Sequence, residues 1–374
     1  MTTKTTNFLR LAALVAAAIG LSMGEALGDP DLSSSRGISA MEFVSSSRGW
    51  VWEGHSDGGI FRTIDGGRHF HQIAKMPYAR MNAADWELSE PRPAANRMRF
   101  ADARHGWIFG PDLFTTRDGG VTWASEPRVV GELVPAAGAV WAIEACDLDR
   151  VVRISRDLGR TWTTTPGQPR ISGEEPVLVA IDERRAWVFD PSPEDCHLFR
   201  TVDGGVRWRE LAIPEQWERG DHTDFTADRD GRLWLLLSGE PIMYSQQYKI
   251  LWMSEDGGDT WILRSESDLT ETSASIPGGG LALGQGEMIA LTSGRAIVFH
   301  ARTCPYRTGD HGLTWRAVGS WEDWRDPETD MVGASLMTFF GDRYGWALVR
   351  GLGIRKTRDG GRTWRTVLHD KAVQ

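Results

Sequence analysis

One octapeptide, Ser/Thr-x-Asp-x-Gly-x-Thr-Trp with modest variation, occurs seven times in this chain, beginning at Thr63, Thr116, Ser155, Thr201, Ser254, Thr308 and Thr357. The copies stand 39 to 54 residues apart, which matches one β-propeller blade per copy. An Asp-Gly pair between alternating apolar residues is a hairpin signal, because glycine takes a positive φ without steric penalty. The carboxylates of Asp65, Asp118, Asp157, Asp203, Asp256, Asp310 and Asp359 are therefore expected to accept backbone N–H groups inside each turn and to be structural. The closing aromatic, Phe70 in the first copy and Trp123, Trp162, Trp208, Trp261, Trp315 and Trp364 in the others, opens the next strand.

A second landmark precedes each copy: Gly49-Trp50, Gly106-Trp107, Val140-Trp141, Ala186-Trp187, Leu233-Trp234, Glu287-Met288 and Gly345-Trp346, read as the second strand of each blade. Arg97 to Phe100, Trp107 to Phe109, Leu113 to Thr115 and the residues from Trp123 onward then make four short strands. The expected fold is all-β: a single seven-bladed propeller over 29–374, four antiparallel strands per blade, with the octapeptide on the turn between strands three and four. The blades fall near 38–74, 96–126, 133–165, 176–212, 222–264, 280–318 and 333–368. Twelve of the eighteen tryptophans occupy the two landmarks, so most of the tryptophan content is core, and any binding aromatics must come from the other six.

Lys4 and Arg10 precede a short apolar run from Leu11 to Met23, followed by Ala26 and Gly28, the order of a secretory signal peptide over 1–28. The run is shorter than the roughly 18 residues a spanning helix needs, so no membrane insertion is expected after cleavage and the protein is read as exported, periplasmic or secreted. Net charge is −9, and losing Lys4, Arg10 and Glu25 with the leader leaves about −10. An acidic chain is a poor candidate for nucleic acid or an anionic membrane. Three cysteines make no disulfide scaffold, but Cys146 and Cys196 fall in adjacent second-to-third-strand loops and are expected to form a disulfide. No pattern implies a metal or other cofactor: His69 and His71 lie on one side of an outer strand, and two ligands make no site.

The octapeptide is similar to the Asp-box, or bacterial neuraminidase, repeat of sialidases, other glycoside hydrolases, sortilin-type receptors and photosystem II stability/assembly factors. The longer repeats MEFVSSSRGWVWEGHSDGGIFRTIDGG and MTFFGDRYGWALVRGLGIRKTRDGG resemble most the assembly-factor-like propellers within the sialidase-like superfamily. That resemblance covers nearly the whole mature chain and implies seven blades and no catalytic residues. A sialidase also needs an arginine cluster, a tyrosine nucleophile and an acid donor. Its Arg-Ile-Pro segment is missing here, and none of the five tyrosines sits in a motif that assigns a nucleophile.

Strand direction puts the octapeptides on one face of the disc with the first-to-second-strand turns, and the other connections on the opposite face. The long insertions, 75–96, 213–221, 238–249 and 316–332, all fall on that opposite face. They bring Trp86, Trp217, Tyr244, Tyr248, Trp321 and Trp324, while Arg97, Arg99, His222 and Asp224 on inner strands are placed at the channel mouth. These ten residues are the binding-face candidates. The expected function is that of a monomeric, non-catalytic scaffold or assembly/maturation factor whose loop-rich face binds a protein partner. The alternative is a carbohydrate-active protein on the same face, either a sialidase-like glycoside hydrolase or a glycan-binding module, its aromatics stacking on sugar rings.

Overall fold

A computed structural model describes residues 37–53, 58–75, 97–110, 112–146, 149–173, 175–191, 196–214, 220–243, 246–266, 287–300, 303–326, 332–349 and 351–369. The leader at 1–28 lies outside the described residues.

Seven four-stranded antiparallel sheets, each of consecutive strands, form seven propeller blades. Blade 1 holds β1 (Ile38–Phe43), β2 (Gly49–Glu53), β3 (Gly59–Thr63) and β4 (His71–Lys75), and blade 2 holds β5 (Arg97–Phe100), β6 (Gly106–Phe109), β7 (Leu113–Thr116) and β8 (Ala124–Glu126). Blade 3 is β9 (Val129–Ala136), β10 (Ala139–Cys146), β11 (Asp149–Ser155) and β12 (Thr163–Thr164). Blade 4 is β13 (Val177–Ala180), β14 (Ala186–Asp190), β15 (His197–Thr201) and β16 (Arg209–Leu211). Blade 5 comprises β17 (Gly220–Ala227), β18 (Leu233–Met243), β19 (Gln246–Ser254) and β20 (Ile262–Glu266). Blade 6 comprises β21 (Glu287–Leu291), β22 (Arg295–His300), β23 (Thr303–Thr308) and β24 (Trp315–Ala317), and blade 7 comprises β25 (Leu336–Phe340), β26 (Tyr344–Val349), β27 (Gly353–Thr357) and β28 (Arg365–His369).

Each octapeptide closes its turn with the same bonds. The Ser/Thr hydroxyl donates to the Asp carboxylate at 2.8–2.9 Å. It also accepts the N–H of the second glycine position at 2.6–3.0 Å. The carboxylate takes the backbone N–H four residues on at 2.8–3.1 Å. Where that residue is threonine, its hydroxyl donates to the second carboxylate oxygen at 2.6–2.7 Å, which explains the Thr before the Trp. In the first copy the residue is His69, whose Nδ1 bonds Asp65 at 2.6 Å.

The Gly-Trp landmark has a steric cause. Phe43 and Phe100 at the ends of their first strands, and Phe339 one residue before the end of its own, stand directly opposite Gly49, Gly106 and Gly345, and each ring lies where a Cβ on the glycine would meet it at 2.3–2.5 Å. The neighbouring indole belongs to the seam between blades. Phe43 stacks on Trp346 at 3.6 Å and Phe100 on Trp50 at 3.7 Å. Trp50, Trp187 and Trp346 then donate Nε1–H to the carbonyl of the first octapeptide glycine in the next blade, Gly119, Gly257 and Gly66, at 2.8–2.9 Å. Two octapeptides replace that glycine with Leu158 and His311, held at φ 58° and 64°. Of the six landmark indoles, the two facing those turns, Trp107 and Trp234, are the ones whose buried N–H has no partner. Leu158→Gly relieves the left-handed strain of a β-carbon, so thermal unfolding should show it stabilised by about 1 kcal/mol.

Blade 7 meets blade 1 by side chains alone, with no strand exchanged between the chain ends among the described residues. Phe43, Met41, Trp346, Leu348 and Ile354 pack together, and Lys356 Nζ donates to Ser46 O at 2.6 Å while lying 4.7 Å from the Trp346 ring centroid.

Three expectations need correction. Glu287 and Met288 lie on β21, the first strand of blade 6, and the position equivalent to the tryptophan landmark is Ile297 on β22, which pairs with Arg307 as Trp346 pairs with Lys356. Without an indole at 297 the landmark had no marker there. Residues 238–249 are a long hairpin, β18 and β19 pairing beyond Ser238↔Lys249, in place of a loop. Cys146 and Cys196 are not joined by a disulfide. Cys146 ends the second strand of blade 3 and Cys196 precedes the third strand of blade 4. The two thus belong to different sheets and to different strands of their blades, and sharing a face of the disc does not by itself bring two loops within the Cα separation a disulfide spans.

Candidate functional site

The first-strand turns join the octapeptide loops, as in Gly66 N to Ser47 O at 2.7 Å and Gly119 N to Arg104 O at 2.9 Å, so both lie at one end of the disc. At that end the channel widens into a cleft of about 300 Å³ lined by Met41, Glu42, Arg99, Arg229, Met337, Phe339 and Asp342 among others. Glu42 and Arg99 occupy equivalent positions on adjacent inner strands, opposite Trp50 and Trp107. The guanidinium of Arg99 stands 3.7 Å from the Glu42 carboxylate. Burial pushes the Glu42 carboxyl up to about 7, with Arg99 opposing the rise. Asp342 is already occupied, one oxygen accepting Thr292 N–H at 3.1 Å and the other Arg295 Nη2 at 3.0 Å. The cleft thus offers one titratable carboxylate beside a guanidinium, in a lining of mixed polar and apolar side chains.

One level deeper, two residues along each inner strand, Arg97 pairs with Glu132 of blade 3. Across the channel Asp224 accepts Met288 N–H at 2.7 Å and so ties blade 5 to blade 6. Burial, then the charge of Glu287, pushes Asp224 up to about 7, against the Met288 N–H and Lys249. Lys249, fully buried on β19, is pushed down to about 8 by burial, with Asp224 opposing. Arg97 and Asp224 therefore join blades, whereas Arg99 reaches the cleft.

On the opposite face the connection from blade 6 to blade 7 forms a single 3-10 turn, Trp321–Trp324, after Ser320. Its two tryptophans have different fates. Trp324 is 1% exposed, donates Nε1–H to Val318 O at 2.6 Å and packs edge-on against Trp364 at 5.6 Å. Arg355 of β27 lies 5.0 Å from the Trp324 ring centroid, donates to Trp364 O at 3.1 Å and bonds the Asp323 backbone carbonyl. Asp323, held below the usual carboxylate range by the Ser320 N–H at 2.8 Å, closes the turn. Trp321, on this pinned support, stays 52% exposed.

Trp86, Trp217 and Tyr244 lie outside the described residues, as do the side chains of His222 and Tyr248. Glu42, Arg229 and Asp342 escaped the sequence reading, although superposing MEF at 41–43 on MRF at 98–100 sets Glu42 where Arg99 stands. Among the described residues no group of three or more His, Cys, Asp or Glu side chains is placed to hold a metal ion, and no helix is long and apolar enough to cross a membrane.

No protein-family model matches the chain, and no curated protein matches it. Solved structures do. YCF48 from Cyanidioschyzon merolae is 18% identical over 74% of this chain and 86% of its own, with a TM-score of 0.49. YCF48 bound to D1 peptide is 19% identical over 74% of this chain and 82% of its own, also with a TM-score of 0.49. An ancestral GH74 enzyme is 11% identical over 89% of this chain and 46% of its own, with a TM-score of 0.58. At such identities the likeness shows the fold alone: this chain is a seven-bladed β-propeller.

Proposed function

We propose that the chain is an exported, non-catalytic propeller that binds a protein partner through the face opposite the octapeptides, as a scaffold or an assembly/maturation factor. The observation that carries this reading is Trp321, a large aromatic left 52% exposed on a turn that Trp324, Arg355 and Asp323 hold in place. Exposed tryptophans fixed before binding are typical interface anchors, since little side-chain entropy is lost on association. Two further features support it. The octapeptides, read as Asp boxes, spend their carboxylates on their own turns. Among the described residues that line the central cleft, the carboxylate other than Glu42, Asp342, is engaged by Thr292 and Arg295, whereas glycoside hydrolysis of the two-carboxylate kind requires two available ones. Export rests on the leader-like order of residues 1–28. A photo-activatable residue at position 321 should cross-link to one discrete protein in cells that produce the chain.

A further inference from the structure

One sector of the octapeptide face carries the opposite sign of charge to the whole chain: the octapeptides and first-strand turns of blades 7, 1, 2 and 3 hold nine arginines against six aspartates. Around blades 7, 1, 2 and 3, the exposed side chains at the turn tips include Arg48, Arg68, Arg117, Arg160, Arg358 and Arg362. Among the described residues these six are in no ion pair. The carboxylates of the same turns are used internally: the octapeptide aspartates close their loops, Asp102 takes the N–H groups of Arg104 and His105 at 2.7 and 2.9 Å, and Asp342 holds Arg295. Those carboxylates keep their charge while closing the turns, but the arginines outnumber them and the sector stays net positive. Burial, then the neighbouring Arg358 and Arg68, push Lys356 down to about 8.

Apolar side chains stand between the arginines. Of the eleven large apolar side chains exposed among the described residues, six lie in octapeptides, and in this sector they are Ile64, Val121 and Leu158, at 64%, 47% and 38% exposure. These tips rise from equivalent turns at one end of the disc, so they meet a plane together. The cleft nearby is lined by other residues. Arginine clusters bind acidic peptides as well as lipids; the aliphatic prongs standing between these guanidiniums favour a lipid interface, where basic groups meet phosphates and apolar ones enter the acyl boundary.

We propose that the octapeptide sector of blades 7, 1, 2 and 3 docks on an anionic lipid surface, with Ile64, Val121 and Leu158 entering the interface and the surrounding arginines on the headgroup phosphates. The net charge of −9 does not oppose this. A five-residue strand places the other face about 16 Å away, beyond the roughly 8 Å screening length at physiological salt. The surface is independent of the partner-binding face.

The test is co-sedimentation of the full chain with vesicles of equal parts phosphatidylglycerol and phosphatidylcholine, and with phosphatidylcholine alone. Arg68→Glu, Arg117→Glu and Arg358→Glu together should lower partition onto the anionic vesicles at least about tenfold, and added salt should act in the same direction. Ile64→Ser with Val121→Ser should weaken it less. A charge-matched control, Arg170→Glu, Arg316→Glu and Arg325→Glu, alters exposed arginines outside the sector and should retain most binding. Because every variant carries residues 1–28, any pull of the apolar leader is common to all. The proposal is overturned if the wild-type chain ignores anionic vesicles or if the control loses as much as the sector variant. It is equally overturned if poly-glutamate binds through the three arginines while vesicles do not.

Discussion

Replacing Trp346 with alanine is expected to cost about 5 kcal/mol and to open the ring at a single seam. Trp346 is fully buried, stacks on Phe43 at 3.6 Å, donates to Gly66 O at 2.9 Å and lies under the ammonium of Lys356. Truncation leaves a tryptophan-sized cavity, removes the indole donor from Gly66 O, which keeps only Lys356 Nζ at 3.4 Å, and takes the nearer aromatic face from that cation. Trp50 makes the same kind of stack and bond between blades 1 and 2, at 3.7 and 2.8 Å. Those two blades remain joined by the chain, whereas blades 7 and 1 are held by side chains. Trp50→Ala should therefore lower stability in one cooperative transition. Trp346→Ala should in addition expose blades 1 and 7 to limited proteolysis below the melting temperature. Equal protease resistance of the two variants would show that the seam is closed by something else.

Stability should peak on the acid side of neutrality, between about pH 4 and 5, and fall in both directions. On the acid limb, burial raises the Asp65 carboxyl, but hydrogen bonds from His69, Thr63 and Arg68 outweigh it and hold it at about 2. The Thr161 N–H and hydroxyl bring Asp157 to about 2, and the other five octapeptide aspartates are lowered in the same way. A carboxyl whose folded pKa is depressed stabilises the fold above its unfolded value near 4, and that contribution disappears as pH falls through the folded value. Seven such groups make the decline between about pH 4 and 2 steep. On the other limb, burial raises Glu42 to about 7, opposed by Arg99. Burial and Glu287 do the same for Asp224. Folded pKa values above the unfolded ones reverse the sign: stability is full below about pH 4 and is lost as pH rises towards 7. Glu42→Gln with Asp224→Asn should flatten the neutral limb of a melting-temperature profile and leave the acid limb alone. An unchanged neutral limb would remove both carboxyls from the account.

The fold was legible because its punctuation is steric and local. An octapeptide whose hydroxyl, carboxylate and glycine must bond one another announces itself at every copy, and Gly-Trp marks each place where a phenylalanine ring needs room, as at Gly106 under Phe100. Legibility failed where a residue filled the role without the usual identity. Ile297 replaces the landmark tryptophan of blade 6, and the landmark was assigned to β21 instead. It failed again where placement on a shared face said nothing of separation, as for Cys146 and Cys196, which are not joined. At the candidate sites, sequence put Trp321 and Trp324 on the same face but did not separate the exposed ring from the buried one, because Arg355 lies more than thirty positions away. Net charge averaged over two faces hid the arginine sector. Glu42 is charged among apolar neighbours on an inner strand, and its meaning emerged only beside Arg99.

The central claim is that a protein docks on the face bearing Trp321. The most direct measurement places a photo-activatable phenylalanine at position 321, and separately at Ile262 on the outer strand of blade 5, in cells that produce the chain. The expected result is one discrete protein adduct from position 321 and none from position 262. The contradicting result is no adduct at 321, or the same adducts at both positions, and turnover of a fluorogenic glycoside or sialoside by the purified chain, lost in Glu42→Gln, would replace the scaffold with an enzyme.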